Sequence, residues 1–208
     1  MGDRKLELRK EKVEKLLVVL KRLFPSPKTA LNYTTPWELL VAVQLSAQCT
    51  DKKVNEVTGK LFKKYRTLDD YIRARPTEFE KDIFQTGFYR NKTKNILAAA
   101  RILEEKWHGV LPRTMAELLM IPGVARKTAN VVLGELYGVS EGITVDTHVC
   151  RLTNRWGLTD HRDAVKIERD LMELLPKKEW LLFGHRVTQY GRVYCSARGH
   201  NHTKCPIQ

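Results

Sequence analysis

The sequence predicts an all-α protein, and three observations support that fold class. Apolar residues recur at helical spacing from the first segment onward, as Leu6, Val13, Leu16 and Leu20 illustrate. Short Thr-x-x-Glu patterns, which are typical of helix starts, precede apolar runs. No segment shows the alternation with a period of two that a half-buried strand needs. We therefore expect about ten helices joined by short loops.

The predicted helix boundaries follow from caps and breakers along the chain. The first helix ends before Pro25 and Pro27, because proline interrupts helical hydrogen bonding. Thr35-Pro36-Trp37-Glu38 combines a capping box with proline at the first helical position. A second capping box begins at Thr114. The other predicted starts are Asp51, Thr67, Thr77, Asn91, Asp146, Asp163 and Glu179.

The segment Ile121-Pro122-Gly123-Val124 predicts a tight hairpin between two helices. Gly123 allows close approach of the backbone to a ligand, and the start of the second helix presents unpaired N–H groups and a positive dipole end. This combination predicts a phosphate site that positions DNA without reading its sequence. The alternative is an ordinary corner in an all-α core. The N–H groups of the predicted site belong to Val124, Ala125 and Arg126.

Lys127 falls in the first turn of that second helix, beside Arg126. A cation is unfavourable there, since acidic side chains are preferred at helix N-termini. The same field favours the neutral amine, which is the form that attacks an electrophile. Lys127 is therefore a candidate nucleophile, with a solvated surface lysine as the alternative.

Asp146 precedes another predicted helix and is the candidate partner of the amine. As an N-cap it stays ionised, and an ionised carboxylate can accept a proton from an amine or stabilise a sugar cation. A plain structural cap is the alternative. His148, two residues later, is a candidate phosphate contact, although a histidine on a helix face more often packs or hydrogen-bonds.

Charge favours a polyanionic partner. The chain has 37 Lys and Arg against 24 Asp and Glu, for a net charge of +13. No acid follows Glu179, so the segment after it is a candidate DNA-facing strip, or a solvated basic tail. The basic residues of the strip are Arg186, Arg192, Arg198 and Lys204.

No apolar run has the length of a membrane span, and the N-terminus lacks a secretory signal. We therefore expect a cytoplasmic protein with reduced thiols.

Four blocks of the chain resemble the endonuclease III family of DNA repair glycosylases, in the helix–hairpin–helix superfamily. They read LMIPGVARKTANVVL, ITVDTHVCRLTNR, PWELLVAVQLSAQCTD and TGFYRNKTKNI. The resemblance implies two helical domains with the active site in the cleft between them. Residues 29–139 would form a six-helix domain with the hairpin, and residues 1–28 plus 140–208 the second. It also implies a monomer, associated with the nucleoid, that removes oxidised pyrimidines from double-stranded DNA and cleaves abasic sites.

Site residues follow from the same resemblance. Lys127 matches the lysine that attacks the sugar C1′ and forms a Schiff base before β-elimination, and Asp146 matches the essential aspartate. Gln48 matches the residue that fills the gap left by the flipped base. Phe88 stands where the family usually has an aliphatic wedge. Ala125 replaces a glycine that is common in the hairpin.

The C-terminal segment departs from the family. Most members hold a [4Fe–4S] cluster through a C-x6-C-x2-C-x5-C pattern. Cys195 and Cys205 fit the first and third positions, His202 stands at the second, and the fourth falls beyond Gln208. We therefore expect no standard cluster. The favoured interpretation is a loop without metal; the alternative is a zinc site formed by Cys195, His200, His202 and Cys205.

Two other functions are compatible with parts of this pattern. A monofunctional mismatch glycosylase would lack the lysine and carry a glutamate in the helix before Gln48, where this chain has no acid between Glu38 and Asp51. A non-catalytic helix–hairpin–helix protein would bind DNA through the hairpin alone. The presence of both Lys127 and Asp146 argues against the second alternative.

Overall fold

The computed structural model describes residues 3–199 and 201–207, and every regular element in those residues is helical. Two 3₁₀ turns, Phe84–Thr86 and His202–Lys204, accompany the α-helices. The predicted all-α fold is confirmed. The α-helices in the described part of the chain are α1 Asp3–Leu23, α2 Pro36–Leu45, α3 Asp51–Lys64, α4 Leu68–Arg73, α5 Pro76–Ile83, α6 Tyr89–Trp107, α7 Met115–Leu118, α8 Arg126–Tyr137, α9 Thr147–Arg155, α10 Ala164–Leu174 and α11 Lys177–Val193.

The chain divides into two compact units, one of residues Met1–Thr29 with Gly138–Gln208 and the other of residues Ala30–Tyr137. The first unit contains α1 and α9 to α11, around an apolar core that includes Trp156 and Tyr190. The second contains α2 to α8, with two apolar clusters. The assignment of domains to residues 29–139 and to the two ends of the chain stays a prediction.

Several helices begin at the caps that the sequence predicts. Thr35 accepts from the N–H of Glu38, whose carboxylate accepts from the Thr35 N–H, so the capping box is complete. Thr67 caps α4 in the same way, and Thr114 accepts from the N–H of Glu117 at α7. These contacts satisfy donors that a helix start otherwise leaves unpaired.

Four predicted helix starts lie downstream of the observed ones. Helix α6 begins at Tyr89 rather than at Asn91, and α11 begins at Lys177 rather than at Glu179. Thr50 rather than Asp51 caps α3, because its hydroxyl accepts from the N–H of Lys53. Helix α5 begins at Pro76, so Thr77 is already inside it. Proline favours the first helical position because its φ is preset and it has no N–H to leave unpaired.

Among the described residues, no helix is both long enough and apolar enough to cross a membrane.

Candidate active site

The hairpin turn has one fixed backbone conformation. Gly123 has φ +77°, and a Cβ atom there would lie 2.8 Å from Cβ of Asn95 and 2.9 Å from Oε1 of Gln44. The Gln44 amide also donates to the Pro122 carbonyl at 3.2 Å. Only glycine combines this positive φ with such close approach. Side chains of α2 and α6 therefore hold the turn that leads into α8.

Part of the predicted phosphate site is already hydrogen-bonded. The N–H of Val124 donates to the Ile121 carbonyl at 3.1 Å, which closes the turn. Ala125 accepts from the N–H of Ala129 and lies just before α8. The N–H group of Val124 is therefore less available to an anion than the predicted phosphate site requires. The phosphate contact itself stays a prediction.

Lys127 lies in the first turn of α8, as predicted, and its side chain is exposed. Arg126 beside it is also exposed. No acid occupies that first turn. The position therefore combines free access from solution with a helix start that disfavours positive charge.

The Asp146 carboxylate is held by hydrogen bonds to both of its oxygens. Oδ1 accepts from the N–H of Val149 at 2.8 Å, which makes Asp146 the N-cap of α9. Oδ2 accepts from the Thr188 hydroxyl at 2.9 Å. The side chain is half-buried. A carboxylate with two fixed donors keeps one orientation.

Thr188 was not predicted from the sequence. It lies on α11, 42 residues from Asp146, and no local pattern connects the two positions.

His148 packs against α11 through its Nδ1 side. A Cβ atom on Gly191 would lie 2.4 Å from Nδ1, and Nδ1 has no hydrogen-bond partner. Burial is the main cause of the lowered pKa of His148. The charge of Asp146 opposes it, and the charges of Arg192 and Arg151 lower the pKa further. A neutral imidazole at neutral pH follows. The predicted phosphate contact through the rest of the ring stays a prediction.

Gln48 and Phe88 are both exposed, and both have left-handed backbone conformations, with φ 56° and 47°. Phe88 is 70% exposed and directly precedes α6. Non-glycine residues rarely adopt such angles, and they cluster at functional sites. His108, at the end of α6, has the same kind of conformation with φ 49°, so the backbone alone does not distinguish Gln48 and Phe88. Their DNA contacts stay predictions.

Lys92 connects the two segments that carry these residues. Its ammonium donates to the Leu45 carbonyl and to the Thr86 carbonyl, each at 2.8 Å. Its side chain is buried, and that burial lowers the pKa of Lys92. No local pattern in the sequence predicts this contact.

The C-terminal segment brings three of its four candidate ligands together. The ligand atoms of Cys195, His202 and Cys205 all lie within 4.8 Å of one another. His200 lies outside the described residues. Cys49 and Cys150 lie elsewhere, in partly buried positions against the two cores.

One residue of the predicted basic strip, Arg186, is buried. Arg186 is 4% exposed, pairs with Glu179 at 3.2 Å and donates to the carbonyls of Phe24 and Pro25. A buried guanidinium with these partners fixes α1 against α11 and is not available to DNA. The other three residues, Arg192, Arg198 and Lys204, are exposed.

Comparison with known proteins identifies the family. Residues 41–177 match the HhH-GPD superfamily, described as base excision DNA repair proteins. The chain is 48% identical to endonuclease III of Synechocystis sp., over 94% of this chain and 89% of that protein.

Two solved structures are also similar, a non-covalent endonuclease III–DNA complex and a trapped endonuclease III–DNA covalent intermediate. Each has a TM-score of 0.89 and 43% identity and covers 95% of this chain, with 92% and 93% of the other chain covered. The chain therefore belongs to the HhH-GPD superfamily and, within it, to the endonuclease III family.

Proposed function

We propose that this protein is a bifunctional DNA glycosylase and abasic-site lyase that acts on oxidised pyrimidines in double-stranded DNA. The observation that carries the proposal is the exposed Lys127 in the first turn of α8, directly after the fixed hairpin turn. A similar protein, 43% identical, has been trapped as a covalent intermediate with DNA. That result supports an amine nucleophile in this family.

In the proposed reaction, the neutral amine of Lys127 attacks C1′ of the damaged nucleotide, and the base leaves with the electrons of the glycosidic bond. The sugar ring opens and the nitrogen becomes a Schiff base with C1′. Loss of a proton from C2′ then expels the 3′ phosphate, which cleaves the strand by β-elimination. Water releases Lys127 from the cleaved product. Every step uses only protein, DNA and water.

Asp146 is proposed to accept the proton that Lys127 loses or to stabilise the developing sugar cation. Its two fixed hydrogen bonds support a constant orientation of the carboxylate. The proposed DNA contacts are Gln48 and Phe88 at the gap left by the flipped nucleotide, and Gly123, Val124, Ala125, Arg126 and His148 at phosphates.

Borohydride trapping tests the proposal. With duplex DNA that contains one abasic site, the unmodified protein should give a covalent adduct, because borohydride reduces the Schiff base irreversibly. Lys127→Ala should give none. Lys60→Ala, at an exposed lysine of α3, is the matched control and should trap normally.

If Lys127→Ala still formed the covalent adduct, Lys127 would not be the nucleophile. Base release without strand cleavage by the unmodified protein would favour the monofunctional alternative. Salt-sensitive DNA binding without any turnover would favour the non-catalytic one.

We further propose that the chain does not build the family's standard four-cysteine cluster, because His202 stands at the second ligand position. The spacing of the three ligand atoms, all within 4.8 Å, supports this view. A four-iron cluster binds each ligand through a different iron, so its core separates the ligands. We also propose that the protein works as a monomer on nucleoid DNA in the cytoplasm, with the domain boundaries given above.

A further inference from the structure

The Cys195, His202 and Cys205 side chains converge without any role in the proposed reaction. The distances from Nδ1 of His202 are 3.7 Å to Sγ of Cys195 and 3.8 Å to Sγ of Cys205. Cys195 is 1% exposed and Cys205 is 4% exposed. Two buried sulfurs and an imidazole nitrogen therefore surround one small volume.

These distances fit a single tetrahedral ion. Zinc bonds of about 2.3 Å to sulfur and about 2.0–2.1 Å to nitrogen give ligand–ligand distances of about 3.5–3.8 Å in a tetrahedron. Thiolate and imidazole ligands select zinc over the hard cations magnesium and calcium.

We infer that Cys195, His202 and Cys205 bind one Zn²⁺ ion. Both thiols lose their protons to solvent when the ion binds, since thiolates are the ligands. The fourth position is completed by water or by a further side chain. The ion fastens the segment after α11 to the end of that helix.

The surroundings of the sulfurs suit metal-bound thiolates. Nη1 of Arg151 lies 3.6 Å from Sγ of Cys195, and Nη2 donates to the Cys195 carbonyl at 2.5 Å. A guanidinium beside a thiolate compensates its charge, and such outer contacts orient metal ligands. Arg151 lies on α9, so the inferred site is supported by a second helix.

Elemental analysis of the full chain, purified without chelators, tests the inference. We expect about one zinc per chain, as a mononuclear site requires, with no iron or acid-labile sulfide. Cys195→Ser and His202→Ala should each reduce the zinc content at least about tenfold under dialysis. His161→Ala, at an exposed histidine before α10, is the matched control and should retain the ion.

A metal titration of the unmodified protein tests the inference even if the variants fail to fold. The unmodified protein, stripped of metal and still helical, should compete with a chromophoric chelator for Zn²⁺ and should give the intense visible bands of tetrahedral cobalt(II) thiolate when Co²⁺ replaces it. A folded protein that binds neither ion overturns the inference. So does a brown protein that contains iron and sulfide.

A second inference concerns Lys92, rests on the proposed function and is independent of the tail. Leu45 ends α2 three residues before Gln48, and Thr86 lies two residues before Phe88. One buried ammonium, 7% exposed, donates to both carbonyls. We propose that Lys92 is a positioning residue, which holds the Gln48 and Phe88 segments at a fixed spacing so that both side chains enter the duplex together.

The test compares double-stranded with single-stranded DNA. Filling a gap in a duplex matters only where an opposing strand exists, and base flipping costs a few kcal/mol. Lys92→Met keeps the length of the side chain and removes its donors. It should slow the fluorescence rise of a 2-aminopurine opposite the lesion about tenfold, which corresponds to about 1.4 kcal/mol. It should leave trapping on single-stranded abasic DNA unchanged.

The outcomes separate this inference from the proposed function. Gln48→Ala should reproduce the duplex-specific defect, and Lys92→Gln, which retains donors, should lie between Lys92→Met and the unmodified protein. If Lys92→Met lost activity equally on double-stranded and single-stranded DNA, the lysine would be merely structural and the inference would be overturned. Unchanged activity of Lys92→Met on both substrates would also overturn it. Failure of the unmodified protein to form an adduct on duplex abasic DNA would instead count against the Lys127 chemistry.

Discussion

Asp146 has two roles that a single substitution can separate. Its Oδ1 atom caps α9, whereas its charge is the property that the proposed chemistry needs. Asparagine is as good an N-cap as aspartate, since its side-chain oxygen accepts the same N–H. Alanine removes both the cap and the charge. The Thr188 hydroxyl donates to Oδ2 of Asp146, and with asparagine it can instead accept from the side-chain amide NH2.

Asp146→Asn should therefore retain the stability of the protein and lose activity. We expect base excision to fall about 100-fold or more, in the range typical of acid–base catalysis. Single-turnover kinetics with a saturating amount of enzyme measures that loss, and urea unfolding measures stability.

Asp146→Ala serves as the comparison, because it should lose about 1 kcal/mol of unfolding free energy with the cap. If Asp146→Asn excised the base at the normal rate, the aspartate would be a structural cap only.

At the level of elements, the hairpin depends on a contact that neither of its flanking helices provides. Gly123 lies against Gln44 of α2 and Asn95 of α6. The turn is therefore positioned by two helices distant in sequence. This arrangement keeps the start of α8, with Lys127, at a constant place within its unit.

Gly123→Ala should destabilise the protein and weaken DNA binding. The positive φ alone costs about 1–3 kcal/mol for a non-glycine residue, and the new Cβ atom also meets Asn95 at 2.8 Å. Equilibrium unfolding and fluorescence anisotropy with duplex DNA measure the two effects.

Gly138→Ala is the matched control, since Gly138 has φ +65° and no atom within 4 Å of an added Cβ. The additional loss of unfolding free energy in Gly123→Ala, compared with Gly138→Ala, isolates the steric contribution of Asn95 and Gln44. Equal losses at both positions would show that the contact with Asn95 and Gln44 does not matter.

At these two scales the sequence predicts some contacts well and others not at all. Caps such as Thr35 depend on residues three positions apart, so a local pattern identifies them. Lys127 and Asp146 also lie at helix starts, which local patterns predict, and the family resemblance assigned a role to each. Thr188 and Lys92 act across 42 and 47 residues, where only the fold decides which atoms meet.

For the whole molecule, the net charge of +13 sets how DNA binding responds to salt. Neutralised phosphates release counterions, so affinity falls steeply as salt rises. Arg186 takes no part in this effect, because it is buried against Glu179. The charge of the whole protein thus overstates the charge available to DNA.

We expect binding to undamaged duplex DNA to weaken strongly between about 50 and 200 mM salt. Arg126→Gln, at the start of α8, should weaken binding to all sequences alike and reduce the slope of log affinity against log salt by about one. Lys60→Gln is the control of equal charge change. Identical slopes for the two variants would argue against a phosphate contact at Arg126.

The ion pair between Lys21 of α1 and Glu179 of α11 has a consequence for synthesis on the ribosome. Its partners are 158 residues apart, and Glu179 also binds Arg186. At about 5–20 residues per second, α1 must wait roughly 8–32 s before α11 is made. Residues 30–137 are contiguous, so that unit is complete long before the other. Helix α1 is thus made before residues 30–137 but reaches its partners in α11 only after them.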